Sequence, residues 1–243
     1  MGIKKKIIDI YERNIFNPGF AGIFVNAFYF VRRSLYKNVS DMERYVEGDI
    51  LDVGCGSKPY EELFSQKKSY TGLEIDIDET RQNPKVDAFY DGKVFPFKDG
   101  HFDSVVAFEV LEHVPDPDIF LKEAKRVLKP GGTFLVTVPF MVEEHAVPFD
   151  YGRYTTAYLR LIFEKHGFEV IDARKIGCGI TVISQELNFI IHRSIKTPNR
   201  YLSTAIRIFF ISIINVFGIL SSLIIRRYDH LYLGTILAAR KAK

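Results

Sequence analysis

The apolar and polar positions divide the chain into a middle that alternates short apolar runs with helix signals and two more continuously helical flanks. Residues 50–53 form an apolar run interrupted by Asp52 and followed by a glycine-punctuated turn, Gly54-Cys55-Gly56. A second run covers 69–75. Residues 103–108 and 133–138 are nearly unbroken apolar stretches, as expected for strands covered on both faces. Between these runs the pattern predicts a helix beginning near Lys58-Pro59, where proline suits an early helical position. Another is predicted over 116–128, capped by Asp116 and stopped by Lys129-Pro130-Gly131-Gly132. A helix over 155–166, ended by Gly167, a strand over 168–176 and a last strand within 230–240 complete this part. The βαβ rhythm predicts an α/β fold with a doubly wound parallel sheet.

The flanks read differently. Residues 1–47 are predicted helical, with Pro18-Gly19 breaking the first helix. Residues 20–31 are apolar apart from Asn26, and Arg32, Arg33 and Lys37 follow. That run is shorter than the roughly 20 residues a bilayer needs, so it reads as a core-packing helix or as one covering a membrane surface or substrate. About fifty residues between the last two strands are also predicted helical. A helix over 180–194 mixes Gln185, Glu186, Asn188 and His192 with apolar residues. A second, over 202–225, is strongly apolar; Ser212, Asn215, Gly218 and Ser222 recur three or four apart, on one stripe. The expected divisions are an N-terminal helical region at 1–47, a sheet domain at 48–178, an apolar insertion at 179–228 and a last strand with a basic tail at 229–243.

Composition narrows the class. With 243 residues and 47% hydrophobic content the chain can bury a sizeable core. A net charge of +3 argues against a nucleic-acid partner, since no dense basic groove is evident. Two distant cysteines give neither a disulfide framework nor zinc spacing, which fits a reducing, cytoplasmic setting. The basic N-terminus carries charges where a secretion signal needs an apolar core, and Lys6 stands where myristoylation needs Ser or Thr.

Four blocks in order, ILDVGCGSKPY, YTGLEID, FPFKDGHFDSVVAFEVLEHV and VLKPGGTFLVTVPF, resemble the class I S-adenosylmethionine (SAM)-dependent methyltransferases, of the type 11-like kind. The resemblance covers about residues 48–176 plus the final strand. It implies a Rossmann-like, mostly parallel sheet with an antiparallel last strand, and SAM as cofactor. A further block, EHAVPFDYGRYT at 144–155, looks like a subgroup found with polysaccharide and lipid-linked sugar biosynthesis. The SAM site is then expected at Asp52, Gly54, Cys55, Gly56, Glu74, Asp91, Gly92, Phe108 and Glu109. The glycine turn allows close approach to the methionine portion. Glu74, closing the second strand, is expected on the ribose hydroxyls, with Asp76 as runner-up. Asp91 matches the acid that meets the adenine amine, with Asp87 as a competing alignment. The backbone at Phe108 and Glu109 is expected to meet the methionine amino group. Cys55 reads as a small turn residue, not a nucleophile.

Methyl transfer from a sulfonium needs alignment of the acceptor, and a hydroxyl acceptor also needs its proton removed. Glu112, His113 and His145 are the catalytic candidates. Three readings stay open. Glu109, Glu112, His113 and His145 could hold a divalent metal, as in the E-x-x-E-H plus distant histidine of small-RNA 2′-O-methyltransferases and quinone O-methyltransferases. His145 could be a general base. Glu112 and His113 could simply hold the loop. Asp150, Tyr151, Arg153 and Tyr154 are expected to shape the acceptor pocket, although Arg153 could instead pair with Glu143 or Glu144.

The 202–225 helix is long enough to span a bilayer. If the strands flanking the insertion lie in one sheet, however, both its ends lie on one side, and 180–194 is a poor second span. It is therefore expected to lie in the interface, dip into it, or pack on an apolar surface, with 20–31 as the obvious partner. Arg32, Arg33, Lys37, Arg226 and Arg227 would favour anionic headgroups. The alternative is a helical cap or a homodimer interface. The expected function is O-methylation of a small-molecule, sugar or lipid-linked acceptor by a protein peripheral to the inner face of a membrane. The alternatives are a quinone-type or other small-molecule O-methyltransferase, or a non-catalytic scaffold.

Overall fold

The computed structural model describes residues 15–242. The first predicted helix falls largely before residue 15, and the readings on secretion and myristoylation fall wholly there, outside the described residues. The chain divides into two compact units, one of Asn38–Phe140, Glu144–Lys175 and Gly234–Lys243, the other of the chain through Lys37, Met141–Glu143 and Ile176–Leu233.

The first unit is built on a seven-stranded sheet: β1 Gly48–Val53, β2 Lys67–Ile75, β3 Ala88–Tyr90, β4 Phe102–Phe108, β5 Leu128–Pro139, β6 Phe168–Cys178 and β7 Tyr232–Lys241, in the order β3-β2-β1-β4-β5-β7-β6. The pairs β1–β2, β1–β4, β2–β3 and β4–β5 are parallel. β7 runs antiparallel to β5, from Thr133 opposite Arg240 to Pro139 opposite Gly234. The predicted fold class is thus the observed one. Strand order reverses at β1 and β4, and in such sheets ligands bind at the carboxyl ends of the strands around that point.

The parallel strands are apolar throughout because both their faces are covered: Ile50, Leu51, Val53, Val105, Val106, Phe134, Leu135 and Val136 are all fully buried. A helix at Pro117–Val127 starts where Asp116 accepts the Ile119 N–H at 3.1 Å, and it buries Phe120, Leu121, Ala124 and Val127, one face of the helix. A helix at Thr156–Lys165 is capped by Thr155. Phe134 packs its ring against Phe120, Phe163 and Phe168 at centroid separations of 6.4, 5.3 and 6.0 Å, which ties both helices to the sheet.

Three local expectations fail. No helix opens at Lys58-Pro59. Lys58 takes a left-handed backbone (φ 54°) and only a 3₁₀ turn, Glu61–Leu63, follows. Its ammonium is drawn back to the Asp87 carboxylate, which also accepts the Gly72 N–H at 2.6 Å. The Lys-Pro-Gly-Gly stretch does not separate helix from strand. It lies inside β5, where the register shifts opposite Phe102 and Ser104, and Gly132 sits where a Cβ would press on the Asp103 carbonyl at 2.8 Å. Residues 20–31 are not one helix. A short turn of helix, Gly22–Val25, stops at Asn26, whose side chain accepts the Phe28 N–H at 2.8 Å; a new helix then runs Tyr29–Met42.

The second unit is helical. Numbered in chain order from residue 22, the helices among the described residues are α1 Gly22–Val25, α2 Tyr29–Met42, α3 Asp78–Arg81, α4 Pro117–Val127, α5 Thr156–Lys165, α6 Ile180–Ser194 and α7 Arg200–Ile224. α7 turns Ser203, Ile211, Asn215 and Gly218 inward, so part of the predicted small-residue stripe is its packing face. Asn215 donates to the carbonyls of Ile23 and Asn26 at 2.8 and 3.2 Å and accepts from Asn188 of α6 at 2.8 Å. The expected pairing of the apolar helix with residues 20–31 is observed. Gln185 is fully buried: it accepts the N–H groups of Phe30 and Val31 and donates to the Ala27 carbonyl at 2.7 Å. Gln185 and Asn188 of α6 thus serve as internal ties.

Candidate functional site

At the end of β1 the chain turns through Gly54 (φ 71°) and Gly56 (φ 48°). A side chain at Gly54 would run into Val110, while the space beside the Gly56 Cα is open to at least 4 Å. The turn is anchored from β2: the Leu73 carbonyl accepts the Gly54 N–H at 2.8 Å, and Glu74 Oε1 accepts the Gly56 N–H at 2.8 Å. Burial pushes the Glu74 carboxyl up from its ordinary range, against the pull of that N–H. Asn83, which no sequence signal marked, donates to the Gly56 carbonyl at 2.6 Å.

Asp52 lies near the end of β1. It is buried, and its carboxylate accepts the Tyr70 hydroxyl at 2.8 Å. Desolvation, reinforced by the neighbouring Glu74, raises its pKa to about 7 despite the Tyr70 bond. Cys55 is buried with its thiol pushed up to about 12, so it is un-ionised at neutral pH, as a turn residue and not a nucleophile should be.

The alternatives for the two ligand acids separate. Asp76 is engaged by Arg81 in a two-point ion pair, and Asp87 by Lys58 and the Gly72 N–H. Glu74 faces the glycine turn. Asp91 is exposed, and one of its oxygens accepts the N–H groups of Lys93 and Val94 at 2.9 and 3.0 Å, which hold its carboxyl below the usual range. Gly92 beside it has φ 83°. At the end of β4 the Phe108 ring lies edge-on to Tyr60 at 4.9 Å. Glu109 adopts φ 57°, and its N–H goes to the carbonyl and hydroxyl of Thr137, both at 3.1 Å. Because that N–H is taken, the backbone here offers a ligand carbonyl oxygens, the polarity an ammonium group needs.

Beyond β4 the chain makes a 3₁₀ turn, Leu111–His113. Glu112 is fully buried, and neither carboxylate oxygen has a hydrogen-bond partner. Desolvation, with Glu109 adding to it, pushes its carboxyl well up. His113 Nε2 and His145 Nε2 approach Glu112 Oε1 at 3.6 and 4.0 Å, and the two rings meet edge to face at 4.9 Å. Their other nitrogens point to oxygen: His113 Nδ1 lies 2.7 Å from the Phe149 carbonyl and His145 Nδ1 3.5 Å from Asp150 Oδ2. A carbonyl can only accept, so His113 Nδ1 is the donor to Phe149, and that bond orients the ring.

Potential ligand atoms of Glu112, His113 and His145 lie within 4.8 Å of one another. Glu109 is not in that cluster. Arg153 pairs with Asp150 at 2.5 and 2.6 Å, and Arg193 engages Glu143. The pair holds the Asp150 carboxyl down to about 2. The Glu112 carbonyl accepts the N–H groups of Tyr151 and Gly152, so the backbone of this turn also secures the loop. Tyr154 stacks on Tyr158 at 6.0 Å.

A family described as a methyltransferase domain matches residues 27–173. A probable S-adenosylmethionine-dependent methyltransferase of Mycolicibacterium smegmatis is 33% identical over 146 residues, 54% of this chain and 57% of that protein. A ubiquinone biosynthesis O-methyltransferase of Xanthomonas oryzae pv. oryzae is 33% identical over 103 residues, 36% of this chain and 41% of that protein. The chain thus spans about half the length of these curated relatives. Among solved structures, phosphoethanolamine N-methyltransferase 2 of Haemonchus contortus in complex with S-adenosyl-L-methionine superposes with a TM-score of 0.53 at 17% identity, over 96% of this chain and 60% of that one. At that identity the likeness concerns the fold.

Proposed function

This chain belongs to the methyltransferase domain family, and on that premise we propose that it transfers the methyl group of SAM to a hydroxyl oxygen of a sugar or lipid-linked acceptor at the inner face of a membrane. SAM is the donor that family membership implies, and the open Gly54–Gly56 turn, held against Glu74, suits it. The observation that carries the reading is the cluster of Glu112, His113 and His145 just past the carboxyl end of β4, where a sheet of this order binds its ligands. Alignment of acceptor and sulfonium supplies roughly 7–11 kcal/mol of the barrier. His145, oriented by Asp150, is placed to take the hydroxyl proton.

The same cluster fits a divalent metal. A buried carboxylate without hydrogen-bond partners and two imidazole nitrogens form an oxygen–nitrogen donor set suited to Mg²⁺ or Mn²⁺. Glu112, His113 and His145 would hold the ion, and His113 Nδ1 on the Phe149 carbonyl would keep its ring oriented. Such an ion polarises an acceptor oxygen and eases loss of its proton.

A quinone-type acceptor is the second reading, favoured by the 33% identity to the ubiquinone biosynthesis O-methyltransferase. Calorimetry with SAM comes first: saturable binding is expected, and its absence would leave a non-catalytic scaffold. Transfer of isotope-labelled methyl groups into separate lipid, quinone and polysaccharide extracts, read by mass spectrometry, then distinguishes the acceptors. Label confined to the quinone fraction would sink the sugar reading.

A further inference from the structure

α7 carries most of its apolar surface on its outer side. On α7 the inward residues are small or polar, Ser203, Asn215 and Gly218, with Ile211 the one large exception. Phe209, Ile213, Phe217, Leu220 and Leu223 point away and are 52–78% exposed. α6 shares part of the arrangement: Ser184, Gln185 and Asn188 are buried beside Val182 and Phe189, while Ile183, Leu187 and Ile190 are 45–59% exposed. A helix facing water places its apolar stripe inward. In lipid, where hydrocarbon is no less apolar than leucine, small residues and polar ties form the helix contacts instead. The Asn188–Asn215 hydrogen bond and the close fit of Gly218 against Ser184 and Phe30 are contacts of that kind.

Charge and connectivity select the occupant. From residue 187 to 228 there is no aspartate or glutamate, whereas Arg193, Lys196, Arg200, Arg207, Arg226 and Arg227 are all basic. Exposed Arg200 and Tyr201 stand at one end of α7, and Arg226, Arg227 and Tyr228 just past the other, the residue types that sit at headgroup level. A second copy of this face would oppose cation to cation. The Gly179 N–H donates to the Leu231 carbonyl at 2.8 Å, so the insertion leaves and rejoins the fold at one point.

We propose that α6 and α7 form a hairpin embedded from one side in an anionic phospholipid bilayer, with the exposed face of α7 among the acyl chains and the flanking arginines at the phosphates. This deepens the membrane-side part of the function proposed above. Its test does not depend on methyl transfer, so loss of one leaves the other standing.

The test is flotation of the full chain with vesicles of phosphatidylcholine alone and with phosphatidylglycerol added, followed by alkaline carbonate washing. The chain should float, more completely with the anionic lipid, and resist the wash. The double variant Phe217→Asp, Leu220→Asp changes two exposed positions, so its melting should be unaltered, while partitioning falls about a hundredfold. A chain that stays at the bottom with both vesicles, or floats equally with the double variant, overturns the proposal. So does release by carbonate, or a detergent-free soluble dimer that buries this face.

Discussion

Replacing Asp52 by asparagine should make the folded protein more stable at neutral pH and leave it unchanged in acid. Asp52 is 2% exposed, and its carboxyl is raised from 3.8 to about 7, first by desolvation and then by Glu74, against the hydrogen bond from Tyr70. Below pH 3.8 the group is neutral in both folded and unfolded chains and costs nothing. As pH rises, the unfolded chain ionises first, and stability is lost until the folded carboxyl also ionises near 7. The gap from 3.8 to about 7, at about 1.4 kcal/mol per tenfold change in proton affinity, amounts to about 4 kcal/mol. Asparagine cannot ionise, and its carbonyl can still accept the Tyr70 hydroxyl. Urea unfolding of both proteins at intervals from pH 4 to pH 8 should therefore give coincident stabilities at the acid end. The curves should separate to about 4 kcal/mol at pH 7 and run parallel above it. A separation that does not change with pH would refute the burial argument. A buried ionised carboxylate beside the glycine turn suits a cationic ligand, so on the proposed function the stabler variant should bind SAM more weakly by calorimetry.

Four further outcomes follow from the same geometry. Glu74→Gln should weaken SAM binding by about tenfold, roughly 1.4 kcal/mol, with little change in melting, since the amide oxygen can still accept the Gly56 N–H; an unchanged dissociation constant would remove Glu74 from the site. Gly54→Ala meets both a left-handed backbone and the Val110 side chain, so urea unfolding should show a loss of at least about 1–2 kcal/mol. Glu112→Gln should abolish the Mn²⁺ signal bound to the protein in electron paramagnetic resonance; if chelator-treated protein transfers methyl groups at full rate, His145 acts without an ion. Gln185→Leu strands the N–H groups of Phe30 and Val31 and should destabilise the helical unit by about 2–4 kcal/mol, read by hydrogen exchange at those two amides.

Much of the fold was legible because the parallel strands bury both faces. The runs at 50–53, 103–108 and 133–138 could hardly lie elsewhere than inside a sheet, and Asp116 marked the start of α4. The boundaries that went astray lie where a long-range partner overrides local preference. Lys58 turns back to Asp87, twenty-nine positions on, and no helix forms. Gly132 packs on Asp103 inside β5, where the sequence suggested a break. β3 and α3, three and four residues long, are too short to show a period.

For the site, the sequence by itself determined the composition: two glycines after a strand, an acid closing the next, Glu112 and His113 side by side, and His145 in a loop further on. Residue type sets which chemistry is available, and the four blocks fall in the order that the methyltransferase resemblance implies. Tertiary structure decided which of the equivalent candidates is free to act. Asp76 and Asp87 are occupied by Arg81 and Lys58, Glu74 is left facing the turn, and Arg153 pairs with Asp150. It also decided that the apolar length of α7 faces outward while asparagines and glutamine hold the helices together. A hydropathy pattern is blind to that inversion, because it records how apolar a helix is and not which side its neighbours cover.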